Sequence, residues 1–244
     1  VTSIGSGHTG VNTTEKYVKR DNNTILATLE ELASGLEKAD VYMDFTSMSP
    51  GYGELKANLC EKDMNYWKCY WRALQVEGKE PGDTIGIYVT RLSDDAGIAW
   101  DQENSIKRES FIYDPVSPRF MNISVSPLGS DVDVIRETDV VLIEAYILEE
   151  DSGLKAENVY ADLSDLADGE NWTNAQSCEN VNSSVWLCEW QYGGALSARR
   201  DITLNVKATD NAGNTADSAD ANVYGKAYIS GVTERAADFW QKIE

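Results

Sequence analysis

Trp67-Lys-Cys-Tyr-Trp71 and Trp186-Leu-Cys-Glu-Trp190 carry the same rare pattern, Trp-x-Cys-x-Trp, at an offset of 119 (186 − 67 = 119). Alternate side chains of a strand share a face, so in each copy both indoles and the sulfur point the same way. Upstream, Cys60 and Cys178 match at an offset of 118 (178 − 60 = 118), and one inserted residue accounts for the change. Further upstream, Ser34-Gly-Leu-Glu-Lys-Ala-Asp-Val-Tyr-Met-Asp-Phe45 aligns with Ser152-Gly-Leu-Lys-Ala-Glu-Asn-Val-Tyr-Ala-Asp-Leu163, keeping Ser-Gly-Leu, Val-Tyr and the Asp two residues on. Downstream, Ile85-Gly-Ile-Tyr-Val89 matches Ile202-Thr-Leu-Asn-Val206, and Asp94-Asp-Ala-Gly97 matches Asp210-Asn-Ala-Gly213. A self-match this long marks two homologous units of about 110 residues.

The boundary falls near Asp114 and Pro115, where residues 116 to 126 read as a Pro-flanked linker entering the first strand of the second unit. The expected organisation is domain 1 over residues 1–115, domain 2 over 116–226 and a C-terminal extension over 227–244. In that extension Thr233 can cap a helix whose apolar face is Ala236, Trp240 and Ile243. The stretch 25–36 alone has helical spacing at Ile25, Leu29, Leu32 and Leu36, whereas its partner, 140–148, is rich in β-branched and aromatic residues. Homologous segments share one structure, so both are strands. Residues 158–163, 184–190 and 202–208 continue a series of short strands at sandwich spacing, and Asp210-Asn-Ala-Gly-Asn-Thr215 joins the last two, with Gly213 able to take a positive φ. The fold class is all-β, two tandem β-sandwiches.

Val206-Lys-Ala-Thr-Asp-Asn-Ala-Gly-Asn-Thr-Ala216, with the opening Asn122-Ile-Ser-Val-Ser-Pro127, resembles the bacterial and archaeal immunoglobulin-like domains (Big-type) of cell-surface proteins. The resemblance covers the second copy directly and the first through its homology. It implies an immunoglobulin-like sandwich serving as stalk, spacer or adhesive module without chemistry of its own. Antibody-type domains join two sheets through widely separated cysteines, and here the cysteines of each copy lie close in sequence.

Net charge of −20 and 41 acidic residues argue against a polyphosphate partner, which needs clustered Lys and Arg. No run approaches the ~18 apolar residues of a membrane helix, and the start Val1-Thr-Ser-Ile has no signal-peptide core, as expected of a mature or excised segment.

The repeat sets the cysteine connectivity. Of the three pairings four cysteines allow, only Cys60–Cys69 with Cys178–Cys188 stays within each unit and is the same in both. Each bridge closes a loop of about ten residues, stabilises by roughly 2 to 3 kcal/mol on the chain-entropy model, and implies an oxidising compartment. A four-thiolate zinc site needs closer pairs than these. The repeated tryptophans read as packing against the bridge. The alternative is a sugar-stacking platform, for which Trp100, Trp172 and Tyr52, nearer loops, are the better candidates.

Gly5-Ser-Gly-His-Thr-Gly10 satisfies G-x-G-x-x-G, but no apolar helical face follows it, so it reads as a flexible turn. His8 is the only histidine, which leaves a Ser-His-Asp triad nowhere to form outside that segment. Sequons stand at Asn12, Asn22, Asn122, Asn171 and Asn182, candidate glycan attachment points, with Asn122 disfavoured by its strand unless that strand is an edge. The loops holding Glu149, Glu150, Asp151 and Asp210, with Asp114 from the linker, form a seam suited to calcium; the rival reading is an ordinary solvated acidic surface.

No catalytic residue is expected. The leading expectation is a structural or adhesive segment of a prokaryotic, extracellular or cell-surface assembly such as an S-layer, filament or stalk. Its partners would be copies of itself or other surface domains. The alternative is a carbohydrate-binding or accessory module of a secreted hydrolase, motivated by seven Trp and twelve Tyr.

Overall fold

The computed structural model describes residues 3–7, 16–30, 35–36, 41–93, 108–129, 134–166, 171–194, 196 and 200–230. The chain divides into two compact units, Val1–Val116 with Asn211–Gly213, and Ser117–Asp210 with Asn214–Glu244. The described secondary structure is all strand.

Unit 1 holds β1 (Ser3–Gly7), β2 (Tyr17–Val18), β3 (Asn23–Leu29), β4 (Val41–Asp44), β5 (Glu54–Lys56), β6 (Leu59–Asp63), β7 (Tyr66–Leu74), β8 (Thr84–Leu92) and β9 (Arg108–Tyr113). They form two sheets, β1-β3-β7-β6 and β2-β9-β8-β4-β5. Unit 2 holds β10 (Arg119–Pro127), β11 (Val134–Arg136), β12 (Val141–Leu148), β13 (Leu154–Asp162), β14 (Trp172–Asn174), β15 (Ser177–Asn182), β16 (Val185–Tyr192), β17 (Arg200–Leu204), β18 (Val206–Asp210), β19 (Thr215–Asp217) and β20 (Gly225–Ser230). Its first sheet, β10-β12-β16-β15, repeats the order seen in unit 1. The second is divided into β11-β20-β17 and β14-β13-β18-β19, because Asn205 interrupts the strand that β8 runs unbroken in unit 1. In both units one short strand joins the second sheet in parallel, β2 on β9 and β11 on β20; the other pairings are antiparallel. These are tandem immunoglobulin-like sandwiches.

Alternation makes the cores. Strand β12 alternates buried and half-buried residues along its whole length, and Val141, Ile143, Ala145 and Ile147 are fully buried. In unit 1, Ile25, Ala27 and Leu29 do the same from β3, so the helical spacing of 25–36 is overridden by burial on one sheet face. The retained Ser-Gly-Leu has a backbone cause. Gly35 (φ 89°) and Gly153 (φ 80°) are left-handed, and the following Leu36 and Leu154 enter the cores.

The retained Asp closes the next turn in each copy. Asp44 Oδ1 accepts from Thr46 N (2.7 Å) and Thr46 Oγ1 (2.6 Å), as Asp162 Oδ1 accepts from Ser164 N (3.1 Å). Past each turn an apolar residue, Met48 or Leu166, is fully buried. The chain then changes sheets by a shared device: Ala57 N donates to Val41 O (2.9 Å) and Asn58 N to Tyr70 O (2.8 Å), matched by Ala175 N to Val159 O (2.8 Å) and Gln176 N to Glu189 O (2.9 Å).

Four expectations change. Residues 227–230, placed in the extension by sequence, belong to β20, whose Ala227 and Ile229 are core residues paired on β17 and β11. Gly5–Gly7, expected in a flexible turn, lie in β1 against β3, since strand pairing needs only backbone groups. The 210–215 hairpin, with Gly213 at φ 86°, joins β18 to the short β19 and is followed by one further strand. In the Ile25–Leu36 stretch the strand ends at Leu29, since Glu30 is already exposed outside it and Gly35 is left-handed. The helix expected from Thr233, like His8, Asn12 and Trp100, lies outside the described residues.

Asp44 also accepts from Tyr88 OH (2.6 Å). Hydrogen bonds from Thr46 and Tyr88 hold its carboxyl below the ordinary value, and the same bond raises the Tyr88 hydroxyl. A depressed folded value means that ionised Asp44 contributes stability above its unfolded pKa of ~3.9, and that this is lost as pH falls through the folded value. Asp44→Asn should therefore lower the urea midpoint at neutral pH, with the gap from the parent closing in strong acid. A gap of constant size at every pH would show that the charge is irrelevant.

Candidate functional site

The chemistry-bearing residues fall into three groups: the bridged hairpins, the buried carboxylates and the exposed sequons. Cys60 is paired in register with Cys69 on β6–β7, and Cys178 with Cys188 on β15–β16. Both pairs are bridged, with Cα atoms 4.1 Å and 4.0 Å apart. Behind each bridge stand the repeated indoles. Trp67, Trp71 and Trp190 are buried and Trp186 is half-buried.

One indole in each unit ties the two sheets together. Trp71 Nε1 donates to Leu55 O on β5 (2.9 Å), and Trp190 Nε1 donates to Thr173 O on β14 (2.9 Å). The other indole separates the copies. Trp186 lies opposite Asn180, which, with its amide oxygen turned toward the ring, accepts from Nε1 (3.2 Å) and donates to Asn182 O (2.9 Å). In unit 1 the equivalent of Asn180 is Lys62, directly opposite Trp67. Lys62 offers no acceptor; its ammonium stands 6.0 Å from the ring centroid, and Trp67 Nε1 is buried without a hydrogen bond.

The sugar-platform candidates separate. Tyr52 packs partly buried against the core of unit 1, and its hydroxyl accepts from Gln75 N (3.1 Å). Trp172 is 39% exposed on β14, and Lys207 covers it at 4.3 Å from the ring centroid.

Of the five carboxylates read as cation ligands, Glu150 is exposed and Asp151 half-buried, while Asp114, Glu149 and Asp210 are buried. Each buried one anchors backbone. Asp114 Oδ1 accepts from Val116 N (3.0 Å). In unit 2, Glu149 Oε1 accepts from three successive amides, Asp151, Ser152 and Gly153 (3.0, 2.9 and 3.2 Å). Asp210 accepts from Asn214 N (2.8 Å) and Nδ2 (3.0 Å). Glu149 and Asp210 bring carboxylate oxygens within 4.8 Å of each other. Like charges this close in a buried setting oppose one another unless donors or a cation balance them; the amides supply part of that balance. Sequence reasoning missed the amide cradle around Glu149, although its neighbour Ser152-Gly153 was marked by the repeat.

All four described sequon asparagines, Asn22, Asn122, Asn171 and Asn182, are exposed. Asn22 sits at φ 59° in the turn after β2, beside Asn23, whose buried side chain pins that turn through Lys19 and Leu74. Asn122 lies on β10, an edge strand.

No family model matches the chain, and no curated protein matches it. Among solved structures it is similar to the fibronectin(III)-like modules of Clostridium thermocellum CbhA, with 11% identity and a TM-score of 0.41 over 94% of this chain and 95% of that one. It is also similar to a tetra-tandem repeat from the extending region of a large adhesion protein, at 10% identity and TM-score 0.30 over 93% of this chain and 49% of that one. The D00-D0 domain of intimin aligns at 9% identity and TM-score 0.27 over 93% of this chain and all of that one. Likenesses this remote carry no functional argument.

The bare indole gives a direct test. Lys62→Asn places in unit 1 the acceptor that unit 2 already has, and should raise stability by about 1 kcal/mol, the net worth of one hydrogen bond. Lys62→Ala, which removes the cation without adding an acceptor, should give no gain. Equal effects of the two in urea unfolding would refute the pairing.

Proposed function

We propose that the chain is a non-catalytic structural or adhesive segment of an extracellular surface assembly, of the prokaryotic kind whose Big-type immunoglobulin-like domains its sequence resembles. The observation that carries this reading is what the two copies have kept in common. The left-handed Gly35 and Gly153, the turn-closing Asp44 and Asp162, the bridged cysteines and the sheet-linking Trp71 and Trp190 all serve the frame. A repeated unit selected for its frame suits a spacer or stalk, where the product is length and stiffness. Two disulfides favour an oxidising location. An acidic surface, with a net charge of −20, favours solubility and repels anionic polymers. No helix among the described residues is long and apolar enough to cross a membrane.

Calcium at the Glu149–Asp210 pair of unit 2 belongs to this proposal as a stiffening ligand. Calorimetry with calcium alone decides it: saturable heat in the parent, lost in Asp210→Ala, supports the ligand, and no saturable heat removes it.

Immunogold electron microscopy of cells bearing the chain tests the main reading. Label on a regularly repeating surface layer, filament or stalk is expected. Label confined to the cell interior, or saturable binding on a glycan array that Trp172→Ala abolishes, would replace it, the second outcome in favour of a carbohydrate-binding module.

A further inference from the structure

Among the described residues, every sequon of unit 2 lies on or directly beside an edge strand. Asn122 is on β10, which is hydrogen-bonded to β12 alone among the described strands. Asn182 is the last residue of β15, the opposite edge of the same sheet. Asn171 immediately precedes β14, an edge of the second sheet. Edge strands expose unpaired backbone N–H and C=O groups and are templates for pairing with another chain, a hazard that folds blunt with charge, bulges or covering groups.

The Asn122 edge is built to present its side chain. Phe120 and Ile123 are both buried although three residues apart, which strict alternation forbids. A register shift between Phe120 and Asn122 makes Met121 an extra residue, so that Met121 and Asn122 both face solvent. Without the bulge, Asn122 would point into the core with Phe120. The bulge thus turns the sequon asparagine outward beside Met121, which is 54% exposed and apolar. The third sequon residue, Ser124, is held by its hydroxyl donating to Glu144 (3.0 Å).

We propose that Asn122, Asn171 and Asn182 carry N-linked glycans, and that the Asn122 glycan shields the β10 edge strand and Met121 from edge-to-edge pairing with a second copy of the chain. The transfer joins the Asn122 side-chain nitrogen to the anomeric carbon of an oligosaccharide borne on a lipid phosphate. The anomeric carbon–oxygen bond breaks, the lipid phosphate leaves with that bonding pair, and the amide proton passes to a base of the transferase. The inference rests on the extracellular reading only for access to a glycosylating pathway, and the edge argument stands on unit 2 alone.

The test uses the full chain secreted by N-glycosylating cells. Peptide mapping after enzymatic glycan release in heavy-oxygen water should find labelled aspartate at 122, 171 and 182; an unmodified Asn122 overturns the proposal. Asn122→Gln should self-associate with rising concentration in light scattering, with at least a tenfold drop in the concentration at which association begins. Asn122→Lys, which also lacks the glycan but puts a charge on the edge, should begin to associate at the same concentration as the parent. Asn122→Gln associating no sooner than the parent, or Asn122→Lys associating as readily as Asn122→Gln, overturns the shielding role. These outcomes do not depend on where the native chain resides, which the electron microscopy addresses separately.

Discussion

Each sandwich is held closed by an indole hydrogen bond that crosses between its sheets. Trp71 and Trp190 are almost wholly buried, and their Nε1 atoms would be costly to leave without acceptors. Their partners, the carbonyls of Leu55 and Thr173, sit on three-residue edge strands that pair on one side only, with β4 and with β13. Satisfying the indole therefore ties the edge strand, already laddered within its own sheet, to the opposite sheet just before the corner at Ala57–Asn58 or Ala175–Gln176, where the chain passes to the other sheet. From that corner the next strand starts in register with the tryptophan strand, which brings the cysteines opposite each other. The bridge is thus a consequence of the indole's placement as much as a cause of the fold.

The legible part of the fold was what the chain states twice. Trp-x-Cys-x-Trp named its own strand, its buried face and its bridge, because period-two alternation leaves little choice once one face is apolar. The homologous stretch 140–148 corrected the helical spacing of 25–36. Edge behaviour was not legible. β1 contains Gly5 and Gly7, which carry no alternating pattern to mark a strand, β20 was hidden behind residues 218–222, and the bulge at Met121 leaves no compositional mark. The sites divide in the same way. Cysteines declare themselves, whereas the cradle that Asp151, Ser152 and Gly153 form around Glu149 depends on backbone amides that any sequence carries.

Divergence between the copies has gone to places the frame tolerates. Tyr88, which bonds Asp44 in unit 1, becomes Asn205 in unit 2, and there the long strand breaks into β17 and β18. Asn180 serves the outer indole of unit 2, while Lys62 leaves that of unit 1 with a weak cation contact. Neither change touches the indoles that link the sheets.

The bridged hairpins have a mechanical consequence. Cysteines 9 and 10 residues apart are held at Cα separations of 4.1 Å and 4.0 Å. A span of this length fully drawn out would cover roughly 30 Å. A chain pulled from its ends would surrender that slack only after reduction. Tension would pass through sulfur instead of peeling β6 from β7 or β15 from β16, so each hairpin would behave as an inextensible link while the strands around it gave way.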